Sequence, residues 1–236
     1  MNNCLLFAGD THGALTHLER LKTSLPIIHL GDVAPLHGRL IEALSPTLAE
    51  RFWFIPGNHD FDKQLYMDQL MSGGLEERNL HAVVREISGI RVAGLGGVFM
   101  QRVWHPGLGP PKFATRESYI SQLPKKDRHR LPMTVAGAVW FEDYEALFDQ
   151  KADILVTHEA PGCHRNGFDD LDSLADAMGC RLIVHGHHHQ YYQTSVNQGR
   201  TRVLGVGYRG VCDVEGNRLI PGTYDEQRMG KWMPDF

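Results

Sequence analysis

A chain of 236 residues with 42% apolar and 22% charged residues can bury a sizeable core and suits one α/β domain better than two. Its formal net charge of −4 excludes the general cationic character of an indiscriminate nucleic-acid or membrane binder, though not a local basic patch. Without an 18-residue apolar run, a basic leader or a C-x-x-C pair among Cys4, Cys163, Cys180 and Cys212, the expectation is a cytoplasmic protein with reduced thiols and no membrane span.

The apolar run Cys4-Leu5-Leu6-Phe7-Ala8 reads as a first strand, turned by Gly9-Asp10-Thr11-His12-Gly13. Leu15, Leu18 and Leu21, three apart, predict an amphipathic helix over residues 14–23. Residues 26–30 form a second strand ending in Gly31-Asp32, and residues 40–50 read as helical with an interruption at Pro46. Arg51-Phe52-Trp53-Phe54-Ile55 is a third strand, delivering Pro56-Gly57-Asn58-His59-Asp60. A helix over 62–71 follows, then strands over 80–87 and 90–93 paired about Ser88-Gly89. Residues 99–135 break the pattern. They are proline-rich, weakly periodic and basic, and read as a loop excursion from the core. Beyond them lie a helix over 139–150, a strand over 153–157 ending at His158 and a helix over 170–178 stopped by Gly179. A strand over 181–184 then ends in His185-Gly186-His187-His188-His189. From Tyr191 onward, short runs between turn residues predict antiparallel strands. The strand–helix alternation predicts an α/β fold with parallel βαβ units, carried by residues 1–236 as one domain.

The chemistry concentrates at strand ends, where open α/β sheets bind ligands. In order these ends carry Asp10 with His12, Asp32, Asn58 with His59, His158, and His187 with His189. Residues two apart in extended chain point to one side, so Asp10/His12 and His187/His189 can each face a single centre. Carboxylate, imidazole and amide oxygen together suit Mn²⁺, Fe or Zn²⁺. By the same parity His188 points away, and His185 is read as packing. Cys163-His164 is too isolated to read as a thiol nucleophile.

The blocks Asp-x-His, Gly-Asp, Gly-Asn-His-Asp, Thr-His and Gly-His-x-His, in that order from Gly9 to His189, resemble the calcineurin-like metallophosphoesterase superfamily. The resemblance implies a four-layer α/β/β/α sandwich holding two divalent metal ions, manganese first with iron or zinc as alternatives. It places one metal on Asp10, His12 and His189 and the other on Asn58, His158 and His187, with Asp32 bridging. His59 is then the acid for the leaving group, oriented by Asp60. Two cations clamp the attacking and departing oxygens of an in-line displacement and supply hydroxide at neutral pH.

The chain departs from two branches of that superfamily. The arginine with which phosphoprotein phosphatases follow the bridging aspartate is replaced here by Leu36, and the metal-binding tyrosine of purple acid phosphatases by Pro35. Arg39 is a weak substitute on an apparent helix. What remains is a small phosphoesterase acting on a phosphomonoester or phosphodiester. In the excursion, Trp104, Phe113 and Tyr119 interleave with basic residues such as Arg102, Lys112 and Arg116, which suggests a nucleotide-like substrate, with Lys125, Lys126, Arg128 and Arg130 as its candidate binding cations. The competing reading of these aromatics is that they anchor the excursion to the core. The competing function is a metal-binding scaffold of the same fold acting through protein partners.

Overall fold

The computed structural model describes residues 4–34 and 36–231. In chain order its strands are β1 (Leu6–Ala8), β2 (Ile27–His29), β3 (Phe52–Phe54), β4 (Val83–Ile87), β5 (Ile90–Leu95), β6 (Ile154–Thr157), β7 (Leu182–His185), β8 (Tyr192–Val196), β9 (Thr201–Gly205), β10 (Val211–Asp213) and β11 (Arg218–Ile220). The helices are α1 (Leu40–Ala43), α2 (Pro46–Ala49), α3 (Gln64–Met71), α4 (Arg116–Gln122), α5 (Met133–Ala136), α6 (Phe141–Phe148) and α7 (Asp169–Met178). One sheet runs β11-β10-β1-β2-β3 and the other β4-β5-β6-β7-β9-β8.

Three apolar clusters account for the layering. Leu5, Phe7, Ile28 and Leu30 from the first sheet meet Val92, Ile154, Val156, Leu182 and Val184 from the second, forming an interior between the sheets. The outer face of the first sheet packs Leu6, Ile27, Phe52 and Phe54 against Leu40, Leu48 and Leu70 of α1, α2 and α3. The outer face of the second packs Ala93, Leu155 and Ile183 against Tyr144, Leu147, Leu171 and Leu174 of α6 and α7. The result is helix, sheet, sheet, helix. Strands buried on both faces cannot alternate apolar with polar, which is why they read as continuous apolar runs. Each such buried Leu, Ile or Phe contributes about 1.5–3 kcal/mol of transfer free energy.

Register sets where the loops emerge. Leu6, Ile27 and Phe52 stand in one row and Ala8, His29 and Phe54 in the next but one, so the segments after β1, β2 and β3 leave one edge together. In the second sheet Leu95, Thr157, His185 and Gly205 share a row, so the segments after β5, β6, β7 and β9 leave together. The two edges adjoin across the shared interior: His158 Nδ1, beyond β6, donates to the Leu30 carbonyl beyond β2 at 2.7 Å.

The segment over 14–23 is not the expected helix. It holds one 3₁₀ turn at Leu18–Arg20. Its leucines recur every three residues, a spacing that fits the three residues per turn of a 3₁₀ helix. The expected helix over 40–50 divides at Pro46 into α1 and α2, with the Ser45 hydroxyl capping α2 by accepting from Leu48 N. The hairpin joining β4 and β5 turns through Ser88 and Gly89, both left-handed at φ 50° and 77°. The tail contains the antiparallel pairs β8–β9 and β10–β11. In addition, β9 joins β7 in parallel and β10 joins β1, so the tail completes both sheets.

Residues 99–135 are more ordered than a loop. They contain α4, α5 and two 3₁₀ turns, and their aromatics face inward. Trp104 is 3% exposed, with its ring 5.0–5.2 Å from those of Phe99, Phe141 and Tyr144. Phe113 packs on Tyr119, and Tyr119 on Trp140. Trp104 therefore anchors the excursion in the core, and the partly buried Phe113 and Tyr119 pack against the same cluster, which favours the anchoring reading of these rings. Arg116 of α4 fastens the excursion to α6, donating to Glu142 at 2.8 Å and to Asp143 at 2.6 Å and 2.8 Å.

Candidate metal centre

Seven strand-end side chains converge where the two sheet edges meet. Two triads stand out, each with its ligand atoms mutually within 4.8 Å: His12, Asp32 and His189, and Asp32, His158 and His187. Asp32 belongs to both. Its Oδ2 lies 3.8 Å from His12 Nε2 and 3.5 Å from His158 Nε2. Asp10 joins the first group, with Oδ1 3.8 Å from His189 Nε2. Asn58 joins the second, with Oδ1 3.1 Å from His158 Nε2.

The backbone is shaped to bring these groups in. His12, Asp32, His187 and His189 all sit at positive φ, between 44° and 66°. A non-glycine residue adopts that conformation at a cost, and such outliers persist where the surroundings enforce them. Two glycines make the close approach possible. A Cβ on Gly31 would lie 2.3 Å from His158 Nδ1, and one on Gly57 2.3 Å from Asp32 Oδ1. Backbone bonds tie the loops to one another, as where His12 N donates to Asp32 O at 2.9 Å and His187 N to Asp10 Oδ1 at 3.0 Å.

Asp60 and His59 do not pair with each other. Asp60, fully buried, accepts from Asp32 N at 3.0 Å, Ala34 N at 2.8 Å and Gly57 N at 2.7 Å. It bolts the Asn58 loop to the Asp32 loop. The carboxylate on the His59 ring is Asp62, whose Oδ2 meets Nδ1 at 2.8 Å. His59–Phe61 is a 3₁₀ turn, which brings residue i+3 back over residue i. Burial works against a charged His59, but the Asp62 hydrogen bond and the charges of Asp32 and Asp62 outweigh it, holding its pKa above the usual imidazole value.

The donor set fits divalent cations. Burial and then the Asp32 charge drive Asp60 up to about 7, while burial with Asp32, only partly offset by His158, drives Asp10 up to about 7 as well. Buried carboxylates this close repel and call for a compensating positive charge. For His158 burial opposes the charged form, yet Asp32 and Asp10 raise it to about 10. His12 Nε2 is buried with no hydrogen-bond partner among the described residues, an orphan that a metal ion would satisfy. The His158 ring is already oriented by its bond to Leu30 O, as backbone carbonyls commonly orient ligating imidazoles.

Other expected residues fall elsewhere. Lys125, Lys126, Arg128 and Arg130 are all exposed, and Arg128 Nε donates to Leu123 O. Arg130 lines a cavity of about 370 Å³ with Phe61, Met67 and Arg116, whereas Lys125, Lys126 and Arg128 do not. Leu36 is buried in the outer cluster, and exposed Arg39 pairs with Glu42 at 3.0 Å. The position of Pro35 lies outside the described residues. His185 is buried and bonds Tyr192 Oη at 2.6 Å, and burial pushes the Cys163 thiol up to about 11, so neither reaches toward chemistry.

Three neighbours of the centre escape the strand-end reading. Glu159 accepts from Phe99 N at 3.1 Å and stands 3.8 Å from His187 Nε2. Its only signal was adjacency to His158. Asp62 is reached through a turn, and Tyr208, whose ring lies 4.8 Å from that of His189, follows a strand end that carries no metal-binding motif.

A two-sheet α/β sandwich with buried carboxylates, imidazoles and an amide gathered at its strand ends defines a metal-dependent phosphoester hydrolase. The chain belongs to the calcineurin-like phosphoesterase family, whose model matches residues 5–191. It is 34% identical over 229 residues to an uncharacterized protein of Haemophilus influenzae (strain ATCC 51907 / DSM 11121 / KW20 / Rd), covering 95% of this chain and 100% of that one. Its fold is similar to the crystal structure of TT1561 of Thermus thermophilus, with a TM-score of 0.56 at 19% identity over 92% of this chain and 97% of that one.

Proposed function

We propose that the chain acts as one domain hydrolysing a small phosphomonoester or phosphodiester at a binuclear centre. The observation that carries this reading is the pair of ligand triads sharing Asp32. Asp10, His12 and His189 would hold one cation and Asn58, His158 and His187 the other, with Asp32 available to both. The mixed oxygen and imidazole set suits manganese, with iron or zinc as alternatives. Such a pair supplies charge for the phosphoryl oxygens and a nucleophile at neutral pH.

The chain's own residues do the rest. The Asp32 carboxylate, common to both triads, would offset the mutual repulsion of two bound cations. His59 holds a proton for the departing oxygen; with Nδ1 committed to Asp62, Nε2 is the atom that delivers it. The organic part of the substrate has room beside Asn58 and Asp62, in a cavity of about 410 Å³ lined by Phe61, Val98, Met100 and Met133. Methionines adapt to varied apolar shapes, so a nucleotide-sized group fits without a dedicated stacking platform. No helix among the described residues is long and apolar enough to cross a membrane. The four cysteines are free, as the reducing cytoplasm would keep them, and a cytoplasmic setting is part of this reading.

Purified protein loaded with manganese, iron or zinc is assayed for metal content and for hydrolysis of an aryl phosphate and a bis(aryl) phosphate. Two ions per chain with turnover of either ester supports the reading. Full metal loading with no turnover of either rejects it in favour of a scaffold.

A further inference from the structure

We propose that Arg209 is the cation that grips the substrate's phosphoryl group at this centre. The proposal rests on the phosphoesterase reading above and adds a binding residue to it. The segment after Asp32 offers no suited phosphate-binding cation among the described residues: Leu36 is apolar and in the core, and Arg39 is exposed and paired with Glu42.

Arg209 lies in the connection from β9 to β10, just before β10 pairs with β1. The segment beyond β9 turns tightly, with Gly210 N donating to Gly207 O at 2.8 Å, and Gly9 N then donates to Gly210 O at 3.0 Å. That second bond fastens the turn to the strand end carrying Asp10 and His12. The Tyr208 ring lies 5.5 Å from the His12 ring and 4.8 Å from the His189 ring, against two ligands of the same cation. The Arg209 guanidinium lies over the Tyr208 ring, 4.8 Å from its centroid. Tyr208 also stacks on Tyr224 at 5.2 Å, and Tyr224 carries Arg228, which bonds the His188 carbonyl. The platform under Arg209 is thereby held in place from the side of the last histidine motif.

Three features mark Arg209 as a binding group rather than a surface charge. It sits at φ 58°, a left-handed conformation that a long side chain adopts at a cost. Its Nε is buried with no hydrogen-bond partner, and no carboxylate pairs with it among the described residues. Half-buried guanidinium donors without an acceptor are costly, and a phosphate offers oxygens that match the fork two at a time.

The test compares the manganese-loaded parent with R209Q, R209K and R39Q as the surface-charge control. Metal content and thermal unfolding are measured first, then affinity for inorganic phosphate by calorimetry, then steady-state kinetics on an aryl phosphate. All four proteins should hold the same metal. R209Q should bind phosphate about ten- to hundredfold more weakly, the loss expected for a charge-assisted contact. R209K should fall between, keeping the charge without the fork, and R39Q should match the parent. Phosphate affinity in R209Q within about twofold of the parent overturns the proposal, since a charge-assisted contact is worth more than that. So does loss of metal in R209Q, which would make Arg209 a prop for Tyr208 and His12. A parent that holds metal yet neither binds phosphate nor hydrolyses the ester fails at the level of the phosphoesterase reading, and this inference falls with it.

Discussion

His59 and Asp62 are joined by a 2.8 Å hydrogen bond from ring Nδ1 to Oδ2, one 3₁₀ turn apart. The neighbouring Asp60, though adjacent to His59 in sequence, commits its carboxylate to three backbone N–H groups. The two aspartates therefore have separable consequences.

Replacing Asp62 by Ala should leave metal content intact and slow hydrolysis of alkyl phosphates about tenfold or more, with His59→Ala costing about 10²–10⁴-fold. Activated aryl esters need no proton on departure, so their losses should be much smaller. Parallel kinetics on the two ester series checks this. Equal losses on both series would remove His59 and Asp62 from leaving-group protonation.

Asp60→Asn should act on the scaffold. An amide NH₂ cannot accept where three backbone donors converge, so the variant should lose about 1–3 kcal/mol of stability. The Asp32 and Asn58 loops should loosen together, lowering affinity for metal. Urea unfolding and metal titration measure both effects. Parent-like stability and metal affinity would show that the three bonds are dispensable.

Asp32→Asn should lower metal content below two ions per chain and abolish turnover, because a neutral amide cannot offset two adjacent cations. Elemental analysis of the purified variant decides it. Two ions retained with unchanged turnover would exclude the bridging role.

Asp143 makes a pH-dependent contribution remote from the metals. Burial alone would raise its pKa, but the hydrogen bonds from His81 and Arg116 overcome this and hold it down to about 2. A carboxylate depressed in the folded state binds its proton more readily when unfolded, near the ordinary value of about 3.9. Its stabilisation is thus fully present above about pH 4 and is lost as pH falls through about 2, amounting to about 2 kcal/mol. Urea unfolding of parent and Asp143→Asn between about pH 6 and pH 2 should show a stability gap that closes toward the acid end. A gap that stays constant over that range would mean the ionised carboxylate is not its source.

The strand-end motifs were legible from residue order because the chemistry needs particular donor atoms and the fold needs short loops to present them. Asp10, His12, Asp32, Asn58, His158, His187 and His189 each follow an apolar run that can only be a buried strand, and that conjunction is local. The helix expected over 14–23 failed for an equally local reason, since spacing by three supports a turn as well as a helix. What the tertiary structure alone decided are the contacts made across long separations or through turns. Phe113 and Tyr119 pack against the core because Tyr119 meets the buried Trp140 ring and Phe113 leans on Tyr119. Asp62 displaced Asp60 at His59 because a 3₁₀ turn reverses which neighbour is near. Tyr208, from near the end of the chain and carrying Arg209 on its ring, reaches His12 near its start because the segment leads into β10, whose Val211 pairs with Ala8 at the end of β1. Donor chemistry is written residue by residue, whereas proximity depends on the register and packing of two sheets, which no single segment encodes.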